Sequence, residues 1–261
     1  MVSIKSEREI ALMKEAGHYN YLVHEEIKKH IKPGVTTEEL DNVAVNFCKK
    51  NNCKLSCLNY NGYPKSICVS INDEVVHGIP GKRKIKNGDI VSVDLCVGRN
   101  GYESDSARTY IVGEVSDEIK DLVKYTEEAL YVGLKEVKAG ARIGDIGNAI
   151  ENFAHSHNLS VVEELCGHGI GTSIHEEPDV PNFGEKDTGL RLKPGMTICV
   201  EPMLNLGARY VEMLDDDWTI VTQDGSYSAH FEHTVVVTED GYEILTGEWL
   251  NGKSKKCKKI S

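Results

Sequence analysis

The chain has 261 residues, of which 40% are hydrophobic and 27% charged, and its formal net charge is -11. This length and composition predict a soluble protein with a well-buried core. The acidic balance argues against nucleic acid as the main ligand, because phosphate binding needs a basic face. No apolar run approaches the about 20 residues of a membrane span, and the N-terminus carries no targeting segment. The eight cysteines are scattered along the chain, so we expect reduced thiols in a cytoplasmic protein.

Helical periodicity and capping residues predict four helices, with strands between the second and third and in the C-terminal third. Ser6 and Glu9 form a capping box in front of the first helix, which is expected to end before Lys32-Pro33-Gly34. The predicted helices are residues 6–31, a segment capped by Thr36 or Thr37, a segment capped by Ser116 that ends near residues 138–140, and a fourth segment that carries Ile143, Ile146, Ile150 and Phe153. The predicted C-terminal strands are residues 191–202 and 227–237, and a basic, disordered tail is expected over residues 253–259.

The stretch from Lys86 to Val112 predicts a β-hairpin. Two β-rich runs flank Asn100-Gly101, and both turn residues accept the positive φ of a type I′ turn. With this turn, Asp94 lies opposite Ala107, so Asp105 shares the face of Asp94 at about 7–8 Å between backbones. Two carboxylates that point into one space repel each other unless a cation lies between them. A metal site is therefore one interpretation of the pair, and a solvated sheet face is the other.

Similar phrases recur in the two halves of the chain, in the same order. Ile31-Lys-Pro-Gly is echoed by Val137-Lys-Ala-Gly, and Val76-His-Gly-Ile is echoed by Gly167-His-Gly-Ile. The strand that ends at Asp94 matches the one that ends at Glu201, and Asp105 more loosely matches Glu232. The spacing between matches drifts, so loop insertions are required. We infer an internal duplication, with repeats at about 31–113 and 137–238, whose pseudo-twofold axis would bring the four carboxylates to one seam.

Four acids that face one cavity are unfavourable unless cations balance them. Two divalent ions would do so, and oxygen-rich ligation with a histidine or two favours Co, Mn, Fe, Zn or Ni over a thiolate zinc site. Such a metal pair activates water and polarises a carbonyl. Three histidines, His77, His168 and His175, stand next to glycine or an acid and near the carboxylate strands. A single histidine of this kind is more often structural, and the three together favour a functional site.

Five acidic and histidine positions, with the phrases His-Gly-Ile-Gly, His-Glu-Glu-Pro, Val-Glu-Pro-Met and Phe-Glu-His-Thr around them, closely resemble the bacterial type I methionine aminopeptidases. These positions are Asp94, Asp105, His168, Glu201 and Glu232. The resemblance runs from about residue 4 to residue 249. It implies an α+β pita-bread (creatinase/aminopeptidase) fold, in which two pseudo-twofold-related halves form a curved antiparallel sheet covered by helices. It also implies a metallo-exopeptidase that removes N-terminal methionine from nascent proteins with a small second residue.

The resemblance implies a role for each of these positions. All five would bind two divalent metal ions, and Asp105 and Glu232 would each be shared by both ions. Glu201 would also carry a proton from the attacking water to the leaving amine. His175 would stabilise the developing oxyanion, and His77 would hydrogen-bond the scissile amide nitrogen. The free α-amine of the substrate would reach the second metal, which restricts cleavage to N-terminal residues.

Selectivity for methionine requires a narrow apolar pocket with polarisable partners for the thioether. The positions that match the family's pocket are Cys57, Tyr60, Tyr63, Cys68, Ile174 and Trp218. Ile174, just before His175, departs from the aromatic residue often found there in relatives, and this departure affects the expected shape of the pocket. Taken singly, each pocket residue is also explained as a core residue, Cys57 most readily.

Three other functions fit parts of the pattern. Prolidases and Xaa-Pro aminopeptidases share the five ligands but carry an extra N-terminal domain, whereas this chain enters its catalytic fold within the first helix. Type II methionine aminopeptidases carry a helical insertion between the last two glutamates, where this chain has only residues 202–231. A pita-bread binding module without catalysis would have lost metal ligands, and all five are present here.

We expect residues 1–250 to form one catalytic pita-bread domain, followed by a basic tail at residues 251–261. A contact of this tail with the ribosome, near the nascent-chain exit, is one hypothesis, and a solvated tail is the other. The remaining expectations are a cytoplasmic monomer that acts on the Met-Xaa N-termini of nascent chains, with no membrane partner and no specific nucleic acid partner.

Overall fold

The computed structural model describes residues 2–250 and 253–254 and shows an α+β architecture. The helices are α1 (Glu7–Lys28), α2 (Thr37–Lys50), α3 (Asp117–Leu134) and α4 (Ile143–Ser156). The strands before α3 are β1 (Lys54–Leu55), β2 (Cys68–Ile71), β3 (Glu74–Val76), β4 (Ile90–Arg99) and β5 (Tyr102–Ile111). The strands after α4 are β6 (Ser160–Val161), β7 (Cys166–Gly169), β8 (Glu176–Pro181), β9 (Thr197–Val200), β10 (Met203–Asn205), β11 (Val211–Met213), β12 (Ile220–Thr222), β13 (Ser228–His230), β14 (His233–Val237), β15 (Tyr242–Ile244), β16 (Trp249–Leu250) and β17 (Lys253–Ser254).

Side-chain caps determine where the helices begin, as the sequence predicts. Ser6 and Glu9 form a reciprocal capping box in front of α1, and Thr36 with Glu39 forms the same box in front of α2. The hydroxyl of Ser116 caps α3 by accepting a backbone N–H of its first turn. Each cap satisfies donors that have no partner inside the helix. The predicted starts of these three helices are therefore confirmed.

The ends of two helices come earlier than the apolar periodicity predicts. Helix α1 ends at Lys28 rather than at residue 31, and α3 ends at Leu134 rather than near residues 138–140. In each case the next apolar residue, Ile31 or Val137, packs onto the core from the turn that follows the helix. Periodicity cannot distinguish such a residue from one more helical turn.

The predicted hairpin is confirmed in turn and in register. Strands β4 and β5 form an antiparallel ladder of residue pairs without a bulge, in which Asp94 lies opposite Ala107 and Asp105 lies opposite Cys96. Asn100 and Gly101 have φ angles of 53° and 82°. Both values lie in the left-handed region that a type I′ turn requires, which explains the choice of Asn and Gly at these positions. The two aspartates therefore project from the same face of one rigid ribbon.

Two larger antiparallel sheets carry the two halves of the chain. In one, β4 lies between β1 and β2 and also pairs with β5; the other has the order β15-β14-β9-β7-β8. Helices α1 and α2 pack on the first sheet over a core that includes Leu40 and Leu95. Helices α3 and α4 pack on the second over a core that includes Leu130 and Ile146. Two smaller sheets, β13-β10-β6 and β11-β12-β3, complete the described part of the chain together with the β16–β17 pair.

Strand β5 meets β13 and β14 where the two halves join, and two threonine hydroxyls link β5 to these two strands. Thr234 Oγ1 accepts the backbone N–H of Asp105 (2.9 Å) and donates to the carbonyl of the same residue (2.8 Å). Thr109 Oγ1 accepts the N–H of His230 (3.0 Å) and donates to its carbonyl (2.8 Å). Each hydroxyl thus satisfies two backbone groups of the opposite half, which holds β5 in a fixed register with β13 and β14.

The two threonine contacts are equivalent across this seam. Thr234 of the second half binds the backbone of Asp105, and Thr109 of the first half binds the backbone of His230 in the same way. Between them, the Glu232 N–H donates to the carbonyl of Ala107 (3.0 Å). The loose sequence match of Asp105 with Glu232 is therefore wrong, because hydrogen bonding makes His230 the counterpart of Asp105 and Ala107 that of Glu232. The bounds of the two repeats stay a prediction.

Near the C-terminus, the short strand β17 pairs with β16. Lys253 and Ser254, at the start of the segment predicted to be disordered, are therefore paired in a strand. The rest of the tail, at residues 251–252 and 255–261, lies outside the described residues. Within residues 2–250 and 253–254, no helix combines the length and the apolar character needed to cross a membrane.

Candidate metal centre and substrate pocket

Five strands bring the predicted ligands into one cluster. Asp94 lies on β4, Asp105 on β5 and His168 on β7, while Glu201 directly follows β9 and Glu232 directly precedes β14. Carboxylate oxygens of Asp94, Asp105 and Glu232 lie within 4.8 Å of one another. His168 Nε2 lies 3.5 Å from Glu201 Oε1 and 4.0 Å from Asp105 Oδ2. The structure thus brings all five positions together from both halves.

The carboxylates of this cluster are strongly perturbed by their surroundings. Burial, reinforced by the neighbouring acids, raises the pKa of Asp94, Glu201 and Glu232 well above the usual range. Burial is also the main cause that raises the pKa of Asp105, to about 7. Within the described residues, Asp94 Oδ1, Asp105 Oδ1 and Glu232 Oε1 are buried without a hydrogen-bond partner. A divalent cation satisfies such oxygens and removes their mutual repulsion, so the donor set fits a metal.

His168 is prepared as a neutral ligand. Its Nδ1 lies 2.9 Å from the carbonyl of Gly169, and an Nδ1–H donated there leaves the Nε2 lone pair facing the carboxylates. Burial, with the neighbouring His175 ring, lowers the pKa of His168 to about 3. The imidazole is therefore uncharged at neutral pH, which is the form that binds metal.

Two further histidines flank the cluster on the side of the predicted pocket. The His175 ring lies 4.1 Å from the His168 ring, centroid to centroid, and its Nδ1 lies 2.7 Å from the Tyr60 hydroxyl. His77 adopts a φ of 59°, an uncommon backbone conformation for a residue with a β-carbon, and its ring contacts Trp218 edge to face at 6.2 Å. Such backbone strain is often found where a side chain is held for a function.

The predicted pocket residues form a chain of contacts that leads to the metal cluster. Tyr63 lies edge to face with Trp218 at 5.0 Å, and its hydroxyl lies within hydrogen-bond distance of the carbonyls of Ile67 (3.1 Å) and Gly78 (3.0 Å). Cys68, the residue after Ile67, pairs with Asp94 across β2 and β4, and the half-buried Cys57 follows β1. The remaining predicted pocket residue, Ile174, is buried immediately before His175. The pocket wall is thus continuous with the ligand strands.

Two side chains at the centre were missed by the sequence reasoning. His230 is buried, its Nε2 lies 3.7 Å from Glu201 Oε2, and burial lowers its pKa to about 3. The thiol of Cys96 donates to Asp105 Oδ2 at 2.7 Å. The only sequence signal for His230 is its place two residues before Glu232. For Cys96 it is the hairpin register, which sets Cys96 opposite Asp105.

With this geometry established, the comparisons with known proteins identify the class of protein. Residues 11–239 match the description Metallopeptidase family M24, and the chain belongs to this family. It therefore binds divalent metal at the peptidase centre.

Individual relatives support the same assignment. The chain is 52% identical over 246 residues to "Methionine aminopeptidase 1" of Bacillus subtilis, a match that covers 94% of this chain and 99% of that protein. A methionine aminopeptidase crystal structure from Rickettsia prowazekii superposes with a TM-score of 0.93 at 44% identity, over 94% of this chain and 100% of that one. An Xaa-Pro dipeptidase from Bacillus anthracis reaches 0.73 at 28% identity, over 93% of this chain and 61% of that one. The fold is the pita-bread fold, as predicted.

Proposed function

We propose that this chain is a methionine aminopeptidase, a metal-dependent enzyme that removes the N-terminal methionine from nascent chains whose second residue is small. The carrying observation is that the predicted pocket residues Tyr63 and Trp218 contact each other and that Cys68 pairs with the ligand Asp94 across β2 and β4. Sulfur and aromatic rings are favourable partners for a methionine thioether. The identity of the chain to methionine aminopeptidases over almost its whole length supports this activity.

The metal centre is proposed to hold two divalent ions, drawn from Co, Mn, Fe, Zn and Ni. Asp105 and Glu232 would be the shared ligands, because the carboxylate of each lies close to Asp94 and also to His168. When bound, such ions lower the pKa of water and polarise a carbonyl, so that water attacks at neutral pH.

The protein side chains would perform the proton transfer and hold the substrate. Glu201 would accept a proton from the attacking water and pass it to the departing amine, first as general base and then as general acid. His175, held by Tyr60, would donate to the developing oxyanion. His77, beside Trp218, would contact the scissile amide nitrogen. Tyr63 and Ile174 would help to limit the length of the side chain that enters the pocket.

The test is release of methionine after complete chelation and addition of one metal at a time. We expect cleavage of Met-Ala-Ser to return with a divalent ion, to be slower for Met-Lys-Ser, and to be absent for Leu-Ala-Ser. Glu114→Gln, an exposed glutamate outside the site, serves as the matched control for Glu201→Gln. Activity that survives chelation, or faster cleavage of Ala-Pro-Ser than of Met-Ala-Ser, would overturn the proposal in favour of another chemistry or of the Xaa-Pro branch.

We further propose a cytoplasmic monomer in which residues 1–250 are one catalytic domain and residues 251–261 are a basic tail. Sedimentation equilibrium at enzyme concentrations up to the micromolar range tests the monomer. A contact of the tail with the ribosome is tested by deleting residues 252–261, since unchanged co-sedimentation with ribosomes would refute it.

A further inference from the structure

Helix α1 buries two polar side chains against the ribbon of β4 and β5. Asn20 and His24 are four residues apart, so they lie on the same face of the helix, and both are fully buried. The other buried residues of α1 are apolar or small. A polar group that is removed from water costs free energy unless it is hydrogen-bonded, so the partners of these two side chains show what they hold in place.

The amide of Asn20 links both strands of the ribbon. Its Nδ2 group donates to the carbonyl of Leu95 on β4 (2.8 Å) and to the carbonyl of Ser104 on β5 (3.3 Å). Its Oδ1 accepts the hydroxyl of Ser106, also on β5. The two donor hydrogens of the amide and its oxygen thus all have partners, and every one of these partners belongs to the ribbon.

The three residues that Asn20 holds are direct chain neighbours of the two aspartates of the metal centre. Leu95 follows Asp94, and the two serines flank Asp105. Because side chains alternate along a strand, these neighbours face α1 while the aspartates face the opposite side, where the other ligands lie. Asn20 therefore supports both ligand-bearing backbones from behind.

His24 extends the same support along β5. Its Nε2 lies 3.1 Å from the carbonyl of Ser106, and its Nδ1 lies 3.3 Å from the hydroxyl of Tyr110. A carbonyl can only accept, so Nε2 carries the hydrogen and Nδ1 accepts from the tyrosine. Both of these partners lie on β5, whereas the partners of Asn20 lie on β4 and β5. Asn20 is therefore the residue that ties the two strands together beside the ligands.

We propose that Asn20 is a positioning residue for the metal centre, which holds Asp94 and Asp105 at the spacing that a divalent ion requires. Ligands that are already in place bind an ion more tightly, and loss of a contact that orients a ligand costs about 10- to 100-fold in affinity. A residue that only docks α1 onto the sheet would affect stability alone. The inference rests on the five-ligand centre of the proposed function, and not on its selectivity for methionine.

Four variants separate positioning from docking. Asn20→Leu replaces the amide by an apolar group with the same branching, and it leaves the Ser106 hydroxyl without its partner. Asn20→Leu combined with Ser106→Ala removes both partners, so we expect its urea midpoint without metal to return towards that of the wild type. Ser106→Ala alone keeps both bonds from the Asn20 Nδ2 group. Asn205→Leu is the matched control, because Asn205 is fully buried and donates to the carbonyl of Ala208 (3.0 Å), outside β4 and β5.

Affinity for Co(II) is measured by calorimetry on the dialysed proteins without substrate, and the visible spectrum of bound Co(II) reports the geometry of its ligands. We expect about 10- to 100-fold weaker binding and an altered spectrum in both variants that carry Asn20→Leu, and wild-type values in Ser106→Ala and Asn205→Leu. Wild-type affinity and spectrum in the double variant, or an equal loss in Asn205→Leu, would overturn the assignment. If Asn20→Leu does not fold, Asn20→Ala, which adds no volume, is measured in its place.

Cleavage of Met-Ala-Ser is assayed on the same samples. A wild-type protein that binds Co(II) but does not cleave this peptide would refute the proposed function and leave the positioning role standing. Normal cleavage by the wild type, together with unchanged Co(II) binding by the double variant, would refute the positioning role alone.

Discussion

The two strand pairs that carry the carboxylates are built differently. In the first half, β4 and β5 are joined by the two-residue turn Asn100-Gly101 and pair along their whole length. In the second half, β9 and β14 pair with Val200 opposite His233, but residues 202–231 lie between them and include β10 to β13. The first pair is a local ribbon, and the second is assembled over a long loop.

The difference separates two tasks within one centre. The short turn of the first half can do little except hold Asp94 and Asp105 in register. The long connection of the second half carries Trp218, which lies against Tyr63 and His77 in the proposed pocket. We infer that the β4–β5 ribbon fixes ligand geometry, while the long connection of the second half adds Trp218 to pocket residues that come from the first half. The predictions that follow compare the contributions of the two halves to the centre.

The largest effect is expected from the ligands shared across the seam. Asp105→Ala in the first half and Glu232→Ala in the second should each lower kcat/KM for Met-Ala-Ser by more than the about 10²–10⁴-fold of a single acid–base group, because water activation and carbonyl polarisation are lost together. Bound metal, measured by mass spectrometry of the dialysed protein, should fall with activity. An active variant in either half would show that its carboxylate is not shared.

The next effect distinguishes Glu201 from its counterpart Asp94. Glu201→Gln should lower kcat by about 10²–10⁴-fold with bound metal largely retained, because it removes a proton acceptor. Asp94→Asn should lose metal affinity, and excess metal should restore part of its activity. Metal titrations of both variants, with Glu114→Gln as control, measure this contrast. Equal rescue of both variants by metal would contradict a proton-transfer role for Glu201.

A smaller effect is expected from the threonines of the seam. Thr234→Val and Thr109→Val each leave two buried backbone groups without a partner, which should lower the free energy of unfolding by about 1–3 kcal/mol. Only Thr234→Val should also weaken metal binding, by about 10-fold, because its hydroxyl orients the ligand Asp105. Urea denaturation and metal titration measure the two effects.

The control for the seam is Thr126→Val, which removes a buried hydroxyl that donates only to the Leu122 carbonyl within α3. This variant should lose little stability and bind metal normally. Equal weakening of metal binding by Thr109→Val and Thr234→Val would contradict a specific role of the Thr234 hydroxyl in orienting Asp105.

The smallest effect concerns the turn of the local hairpin. Asn100→Ala should lower the free energy of unfolding by about 1–2 kcal/mol relative to Asn100→Gly, since alanine resists the positive φ required there. Both variants lose the same side-chain contact to Glu15, so their difference isolates the backbone term. Thermal unfolding measures it, and kcat should not change. A larger loss in Asn100→Gly would contradict the backbone explanation.

The hairpin and the helix starts could be predicted because each depends on residues a few positions apart. Asn100-Gly101 determines its own turn, and Ser6 with Glu9 determines its own cap. His230 could not be placed in this way, because its contact with Glu201 depends on where β13 lies relative to the end of β9. The contact of Cys96 with Asp105 follows from the hairpin register, which sets the two residues opposite each other, and the sequence reasoning did not use it. The alignment of Asp105 with Glu232 failed for the same reason, because it compared residue types and not hydrogen-bond register.

The threonine hydrogen bonds at the seam also make two backbone amides sensitive to separation of the two halves. The amide hydrogens of Asp105 and His230 end on side-chain oxygens from the opposite half. Hydrogen exchange at these two amides therefore becomes possible whenever the halves separate, even while each sheet stays intact. Their protection factors would give the free energy of separating the two halves. The protection factors of amides inside the β4–β5 ladder would give the free energy of unfolding that sheet.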